Sequence, residues 1–298
     1  MASLRPNLDA NATCDDAIAG RDLSGRVALV TGCNTGLGFE TVRALSRTGA
    51  RIVVACRTDE KVAATIARIR ELEPAADLCP MTLELSSRQS IHQAVAQLDA
   101  PVLHVLVCNA GVFRGSYATT PDGFEETVGV CHLGHFLLFH LLRERLARAQ
   151  GARVVMVSSE AHRMAKHLDF EQLFATRASF KAYGVAKLCN VLFASELSRR
   201  NESEGIAGVS LHPGALIATG IARHSISSRI VTQCARPFTK SVPQAAARIV
   251  HCAVAPEIEH APGRYFVDFQ PTAPSDEAQR PDVAARLWQC SGQALGLS

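Results

Sequence analysis

Short, largely unbroken apolar runs punctuate the chain, and between them apolar residues return every three or four positions. Val27 to Val30, Ile52 to Ala55, Val102 to Cys108, Val154 to Val157 and Gly208 to Leu211 are runs of the first kind. Continuous apolarity over so few residues suits strands buried on both faces of a parallel sheet. Two further strands are expected, one near Cys79 to Leu85 and a last one over Arg264 to Asp268. Helical spacing predicts helices through Val42 and Leu45, over roughly 59–72, 88–98 and 123–148, from Tyr183 to Leu197, and over 243–255 and 283–295. Strand and helix alternate with no break in composition and no internal repeat. That pattern predicts an α/β fold in a single domain, a doubly wound parallel sheet of about seven strands. The polar, mixed stretch 1–22 is expected to be a flexible leader to a domain over 23–298. A lid is expected around 215–240, where Leu216, Ile217, Ile221, Ile226 and Ile230 are apolar.

The first strand runs into Thr31-Gly32-Cys33-Asn34-Thr35-Gly36-Leu37-Gly38, and a helix pattern follows. Glycines between a strand and a helix allow close backbone approach, and the open N–H groups of a helix start attract phosphate. A plain glycine turn would use the same residues, but the strand before and the helix after favour a dinucleotide site. The second strand ends at Cys56, and Arg57 comes next. An acidic residue about 20 residues beyond the glycines would grip the ribose 2′-hydroxyl of NAD. Here that carboxylate is missing. A guanidinium suits the 2′-phosphate of NADP through paired, charge-assisted hydrogen bonds. A solvated arginine ahead of the helix near Asp59 is the plainer reading of Arg57 taken alone.

Tyr183-Gly184-Val185-Ala186-Lys187 opens the next amphipathic helix. A four-residue step puts the phenol of Tyr183 and the ammonium of Lys187 on one face. A free phenol, with a pKa of about 10, is a weak proton donor at neutral pH. A fixed cation a few ångströms from a phenol favours the phenolate and makes the pair a usable general acid and base. Ser158-Ser159 stand at the end of the preceding strand, where open α/β sheets place their ligands. Taken alone, Tyr183 and Lys187 also fit a half-buried tyrosine one turn from a solvated lysine, so the wider pattern has to decide.

Composition narrows the partners. Of the 298 residues, 47% are hydrophobic and 20% charged, an ordinary globular balance. A net charge of +3 gives no ground for nucleic acid as a partner. No apolar stretch approaches the ~18 residues of a membrane span, so no integral membrane segment is expected, and a cytoplasmic location is. Ten cysteines are present, none in a Cys-x-x-Cys pair, and Cys108, Cys189 and Cys252 sit inside apolar runs. They read as free thiols in a reducing compartment. His104, His132 and His135 lie in apolar contexts and read as core histidines. No cluster has metal-ligand spacing, so no metal is expected.

Together, Thr31-Gly32, Gly36, Gly38, Asn109-Ala110-Gly111, Ser159, Tyr183 with Lys187, and Pro213-Gly214 stand in a telling order. In that order and spacing the chain resembles the short-chain dehydrogenase/reductase family from about residue 25 to 295. Within it the chain is similar to retinol-dehydrogenase-like members and to the oxidoreductase domain of the WW-domain-containing oxidoreductases. Leu103 to Ala110, Ser158 to Glu160, His162-Arg163 and Ala235 to Ser241 carry that likeness. No tryptophan precedes Trp288, so the sequence holds no WW module.

The resemblance implies a Rossmann fold and NADP as cofactor. Gly32, Asn34, Gly36, Leu37 and Gly38 would line the pyrophosphate, and Arg57 would take the 2′-phosphate. Leu85 and Asn109 would flank adenosine, with Ala110 and Gly111 beside them in the cofactor groove. Tyr183 would be the catalytic acid and base, and Ser159 would hydrogen-bond the substrate oxygen. Lys187 would assist the tyrosine and hold the nicotinamide ribose, while Pro213, Gly214 and Thr219 would position the carboxamide. The implied partner is a small lipophilic carbonyl or alcohol such as a retinoid or steroid, with a homo-oligomer as the implied assembly. The competing expectation is a cofactor-binding regulatory or scaffold module with weak or no turnover. Two departures from the family pattern stand out. Cys131 occupies the place of an asparagine that organises a water beside the active-site lysine, and Glu84 replaces the usual aspartate.

Overall fold

A computed structural model describes residues 8–113, 116–175, 179–214 and 240–297. Its strands are β1 Val27–Thr31, β2 Arg51–Cys56, β3 Leu78–Thr82, β4 Val105–Cys108, β5 Ala152–Val157, β6 Ile206–His212, β7 Tyr265–Val267 and β8 Gln270–Thr272. They form one sheet in the order β3-β2-β1-β4-β5-β6-β7-β8. Strands β1 to β7 run parallel, and β8 turns back antiparallel on β7. The doubly wound sheet expected from the sequence is present, with one strand more. That strand follows a two-residue turn in which Asp268 and Phe269 have φ of 44° and 68°, the hairpin geometry that matches strand twist. Pro271 hides it from a propensity reading, yet proline is tolerated on an edge strand.

The helices are α1 Cys14–Ile18, α2 Gly36–Ser46, α3 Asp59–Leu72, α4 Arg88–Ala96, α5 Glu126–Val128, α6 Gly134–Ala147, α7 Ser179–Arg200, α8 Val242–Val254 and α9 Pro281–Leu295. Alternate residues of each strand enter opposite layers. Ala28, Val30, Ile52, Val54 and Val155 join one buried cluster with Val42 and Leu45 of α2 and Ala246 and Ile249 of α8. Leu29, Val53, Val154 and Met156 join another with Ile91 of α4, Phe136 and Leu142 of α6, and Phe193 of α7. Both faces are therefore dry, which is why the strands read as unbroken apolar runs. Among the described residues no helix is long and apolar enough to cross a membrane.

Two stretches differ from expectation. Residues 8–22, expected within a flexible leader, carry α1, which packs on α8 and α2 and buries Cys14, Ala17 and Ile18. Thr13 and Asp16 form a capping box at its start. The buried guanidinium of Arg248 donates to the carbonyl of Ala10 at 2.6 Å and to Asp268 at 2.7 Å, tying this segment to the domain. A five-residue helix is too short to leave a periodic signature, and its anchors are more than 200 positions away. The second difference lies inside the predicted helix 123–148. Between α5 and α6 the chain forms a π-helical turn over Gly129–Leu133, centred on Cys131. A one-residue expansion leaves the apolar pattern almost unchanged, so spacing alone does not show it.

Candidate active site

The order of winding reverses between β1 and β4, which opens a crevice at the carboxyl ends of the strands. Gly32 and Gly36 have φ of +66° and +60° there, in the left-handed region that glycine enters without strain. A Cβ on Gly32 would lie 2.7 Å from the Cα of Ala110, and one on Gly38 would lie 2.4 Å from the carbonyl oxygen of Gly32. The Thr31 hydroxyl accepts the N–H groups of Asn109 and Ala110, each at 3.0 Å. The Asn109 amide donates to the carbonyls of Thr31 at 2.8 Å and Gly32 at 3.2 Å. The loops after β1 and β4 are thus stitched into one floor. Asn109, expected beside adenosine, commits its side-chain donors to that stitching.

The start of α2 is left open. Its N-cap, Thr35, makes no side-chain capping bond, whereas Thr58 caps α3 through Lys61 N–H and Ser87 caps α4 through Ser90 N–H. Asn34 and Leu37 are half-buried beside it, and Arg68 donates to the Asn34 carbonyl at 3.2 Å. Uncapped N–H groups behind a glycine turn, with no room for a Cβ, fit a pyrophosphate. Arg57 extends from the end of β2 with half its side chain exposed, and its Nε lies 3.6 Å from Glu84. Leu85 is buried, with its carbonyl against Gly134, where a Cβ would come within 2.4 Å.

Across the crevice, the two serines after β5 have separate tasks. Ser158 is buried and donates its hydroxyl to the Lys187 carbonyl at 2.7 Å, fastening β5 to α7. Ser159 is half-buried and caps the turn Glu160–Met164, its Oγ accepting Ala161 N–H at 3.2 Å. Gly184 lets α7 come against that turn, since a Cβ there would lie 3.1 Å from the Ala161 carbonyl oxygen. The ammonium of Lys187 is buried, donates to the Val157 carbonyl at 2.9 Å and lies 5.5 Å from the centre of the half-buried Tyr183 ring. Phe113 packs edge-on against that ring, with centroids 5.5 Å apart. The expected juxtaposition of Tyr183 and Lys187 on one helix face is present.

Cys131 and Gly111 close the site from beneath. A Cβ on Gly111 would lie 3.3 Å from the Cys131 sulfur and 3.7 Å from Lys187 Nζ, so the three meet at one point. Burial pushes the Cys131 thiol up, and the charge of Lys187 offsets part of that. On the far side, Pro213 is buried after β6, and Gly214 has φ of +104° with Lys240 where a side chain would go. Thr219 and residues 215–239, where a lid is expected, lie outside the described residues.

Two histidines hold the site without a local signal to announce them. The carbonyl of Cys131 can only accept, so His135 donates to it from Nδ1 at 3.1 Å, and its Nε2 takes the Thr31 hydroxyl at 2.9 Å. Burial draws His135 down to about 4, which keeps it neutral. It bridges the π-helical turn to the glycine loop. His162 donates from Nδ1 to the Ser159 carbonyl at 2.7 Å and accepts Ser275 N–H on Nε2 at 3.1 Å. Tyr265 donates to Glu160 at 2.9 Å. The serine turn is therefore clamped to β7 and to the segment after β8, by partners more than 100 positions away. His104, read as a core histidine, accepts Val27 N–H at 3.1 Å.

A family model described as short chain dehydrogenase matches residues 26–229. The WW domain-containing oxidoreductase of Gallus gallus is 41% identical over 303 residues, covering 98% of this chain and 73% of that protein. Retinol dehydrogenase 12 of Mus musculus is 39% identical over 279 residues, covering 92% of this chain and 88% of that protein. Among solved structures, a Mycobacterium paratuberculosis protein superposes with a TM-score of 0.75 at 29% identity, covering 94% of this chain and 97% of its own. Pseudomonas aeruginosa RhlG in its NADP complex superposes with a TM-score of 0.66 at 23% identity, covering 82% of this chain and 95% of its own, a likeness of fold alone. Sheet order, uncapped glycine turn and the residues matched agree, and the chain belongs to the short-chain dehydrogenase family of oxidoreductases.

Proposed function

We propose that the protein is an NADP(H)-dependent oxidoreductase acting on a carbonyl or alcohol group of a lipophilic small molecule, such as a retinoid or steroid. The observation that carries this reading is the buried Lys187 ammonium beside the half-buried Tyr183 ring, linked to the glycine loop through Gly111 and Ala110. Gly32, Asn34, Gly36, Leu37 and Gly38 would hold the pyrophosphate, Arg57 the 2′-phosphate, and Leu85, Asn109, Ala110 and Gly111 the adjoining groove. Lys187 would hold the nicotinamide ribose, and Pro213, Gly214 and Thr219 the carboxamide. When bound, the nicotinamide supplies or accepts a hydride. Ser159 donates a hydrogen bond to the substrate oxygen, stabilising charge as it develops there. Tyr183 gives that oxygen a proton in reduction and takes one in oxidation, with the Lys187 ammonium 5.5 Å from the centre of its ring. The lipophilic substrate class rests on the likeness to retinol dehydrogenase 12 and on Leu216, Ile217, Ile221, Ile226 and Ile230 in the sequence segment expected to be a lid. A panel of retinoids, steroids and simple carbonyls with NADPH and NADH, followed by absorbance of the reduced nicotinamide, tests the proposal. Absence of turnover across the panel with either cofactor would count against it.

Cofactor choice has its own test. Arg57→Ala removes a charge-assisted contact worth about 1.5–3 kcal/mol, so KM for NADPH should rise roughly 10- to 100-fold while KM for NADH stays put. Equal effects on both cofactors would remove Arg57 from the 2′-phosphate site.

Cys131 supports a second reading, a cofactor-binding regulatory or scaffold module with weak turnover. A buried thiol beside Lys187 is a poor hydrogen-bonding stand-in for the asparagine of the family pattern, so proton return to the tyrosine and lysine pair is slowed. Cys131→Asn should therefore raise kcat. An unchanged rate on a good substrate would refute that role for the thiol.

A further inference from the structure

Cys33 and Cys56 lie with their sulfur atoms 3.5 Å apart, one in the glycine loop after β1 and the other at the last position of β2. Nothing in the proposed chemistry uses them. Both are buried, and the Cys33 sulfur also faces the Ala55 carbonyl at 3.4 Å while that of Cys56 faces the Thr65 hydroxyl at 3.7 Å. Their neighbours in sequence are the residues assigned to the cofactor. Cys33 stands between Gly32 and Asn34, and Cys56 immediately precedes Arg57. The described cysteines are all free thiols, and this pair is placed for a bond between them.

We infer that Cys33 and Cys56 form a reversible modification site, closed to a disulfide by a peroxide, and that closure loosens the grip of the glycine loop on the cofactor. This rests on the cofactor reading above. The Cys56 thiolate attacks one peroxide oxygen, the O–O bond breaks, hydroxide leaves and the sulfur becomes a sulfenic acid. The Cys33 thiol then attacks that sulfur, the S–O bond breaks, the S–S bond forms and water leaves. Two thiols are oxidised by two electrons in total, and one hydrogen peroxide is reduced to two waters; an external dithiol reverses the change. Within the pair, the hydrogen bond from Cys33 holds Cys56 down while burial pushes Cys33 up, which makes Cys56 the attacking partner. Asn34 and Thr35, next in the chain, are half-buried and exposed, so the loop that carries Cys33 meets solvent within two residues of it.

The effect on the loop follows from its packing. A disulfide needs sulfurs about 2.05 Å apart, so the separation of 3.5 Å must close by more than an ångström. β2 is held on both sides by β1 and β3, while Gly32 and Asn34 belong to a loop. The loop is the side that yields. It has little slack, because Gly32 already meets Ala110 with no room for a Cβ and Gly38 meets the Gly32 carbonyl. A shift of Cys33 toward β2 therefore displaces the phosphate-binding turn itself.

The full chain is reduced, freed of reductant and treated with hydrogen peroxide, then alkylated and digested for mass mapping. NADPH affinity is read in parallel from its fluorescence. The expected result is a linked Cys33–Cys56 peptide, an NADPH Kd raised at least tenfold, full return with dithiothreitol, and a pair held more reduced in a thiol–disulfide buffer at equilibrium when NADPH is present, as reciprocity requires. Cys33→Ala and Cys56→Ser should each lose the peroxide response in affinity. Failure to find the linked peptide after peroxide has modified other cysteines overturns the inference. So does a quantitative link with unchanged affinity. If the reduced chain binds neither NADPH nor NADH, the cofactor reading falls, and the control falls with it whatever the mapping shows.

Discussion

Tyr183→Phe should lower turnover by roughly 10²- to 10⁴-fold while NADPH still binds, the range that removal of a positioned acid and base produces. The substitution deletes one oxygen and keeps the ring. The edge-on contact with Phe113, at 5.5 Å between centroids, needs only the ring, and Lys187 is held by Val157 rather than by the phenol. Fold and cofactor groove should therefore persist, which NADPH titration and a thermal melt would establish alongside initial rates. The split between rate and binding is the informative part. Lost turnover with intact binding assigns the proton to Tyr183. Retained turnover would move the chemistry elsewhere, and retained cellular function without turnover would favour a scaffold. Lys187→Ala is a less clean test, because it also empties a buried position next to Cys131 and Gly111.

The sheet was legible because burial on both faces leaves little freedom in composition: a polar side chain at Leu29 or Val30 would lose its water with no partner on either side. The site was legible for a different reason. Gly32, Gly38 and Gly184 sit where any Cβ would meet backbone, and Tyr183 and Lys187 are fixed one helical turn apart, so the constraints are local and leave marks at fixed spacing. What escaped is whatever depends on distant partners. Ser158, beside the expected Ser159, helps fasten the end of β5 to α7, and only its bond to the Lys187 carbonyl shows it. His135 read as a core histidine. It is one, yet its two nitrogens connect the π-helical turn at Cys131 to Thr31 under the glycine loop. Helix α1 gave no pattern because its hold on the domain comes from Arg248, Gln244 and Lys240 reaching back to Ala10 and Asn11.

Gly38→Ala tests the glycine cradle where two effects oppose. Gly38 lies in the first turn of α2, so helix propensity alone favours alanine by about 1 kcal/mol. Against that, the new methyl would lie 2.4 Å from the Gly32 carbonyl oxygen, 2.9 Å from the Cys33 Cα and 2.5 Å from the Asn109 amide nitrogen. The first two are backbone atoms and cannot rotate aside. The Asn109 amide could swing, but only by leaving the carbonyls of Thr31 and Gly32 that it holds at 2.8 and 3.2 Å. Overpacking of this kind costs about 1–3 kcal/mol, and the broken stitching adds about 1 kcal/mol per hydrogen bond lost. The steric term wins. The variant should melt several degrees lower, at roughly 2–4 °C per kcal/mol for a domain of this size. NADPH affinity should fall at least tenfold, because the displaced backbone is the surface that would meet the pyrophosphate. A variant that melts higher and binds NADPH as before would mean that propensity outweighs the contact, and that this turn is not the tight cradle its geometry describes.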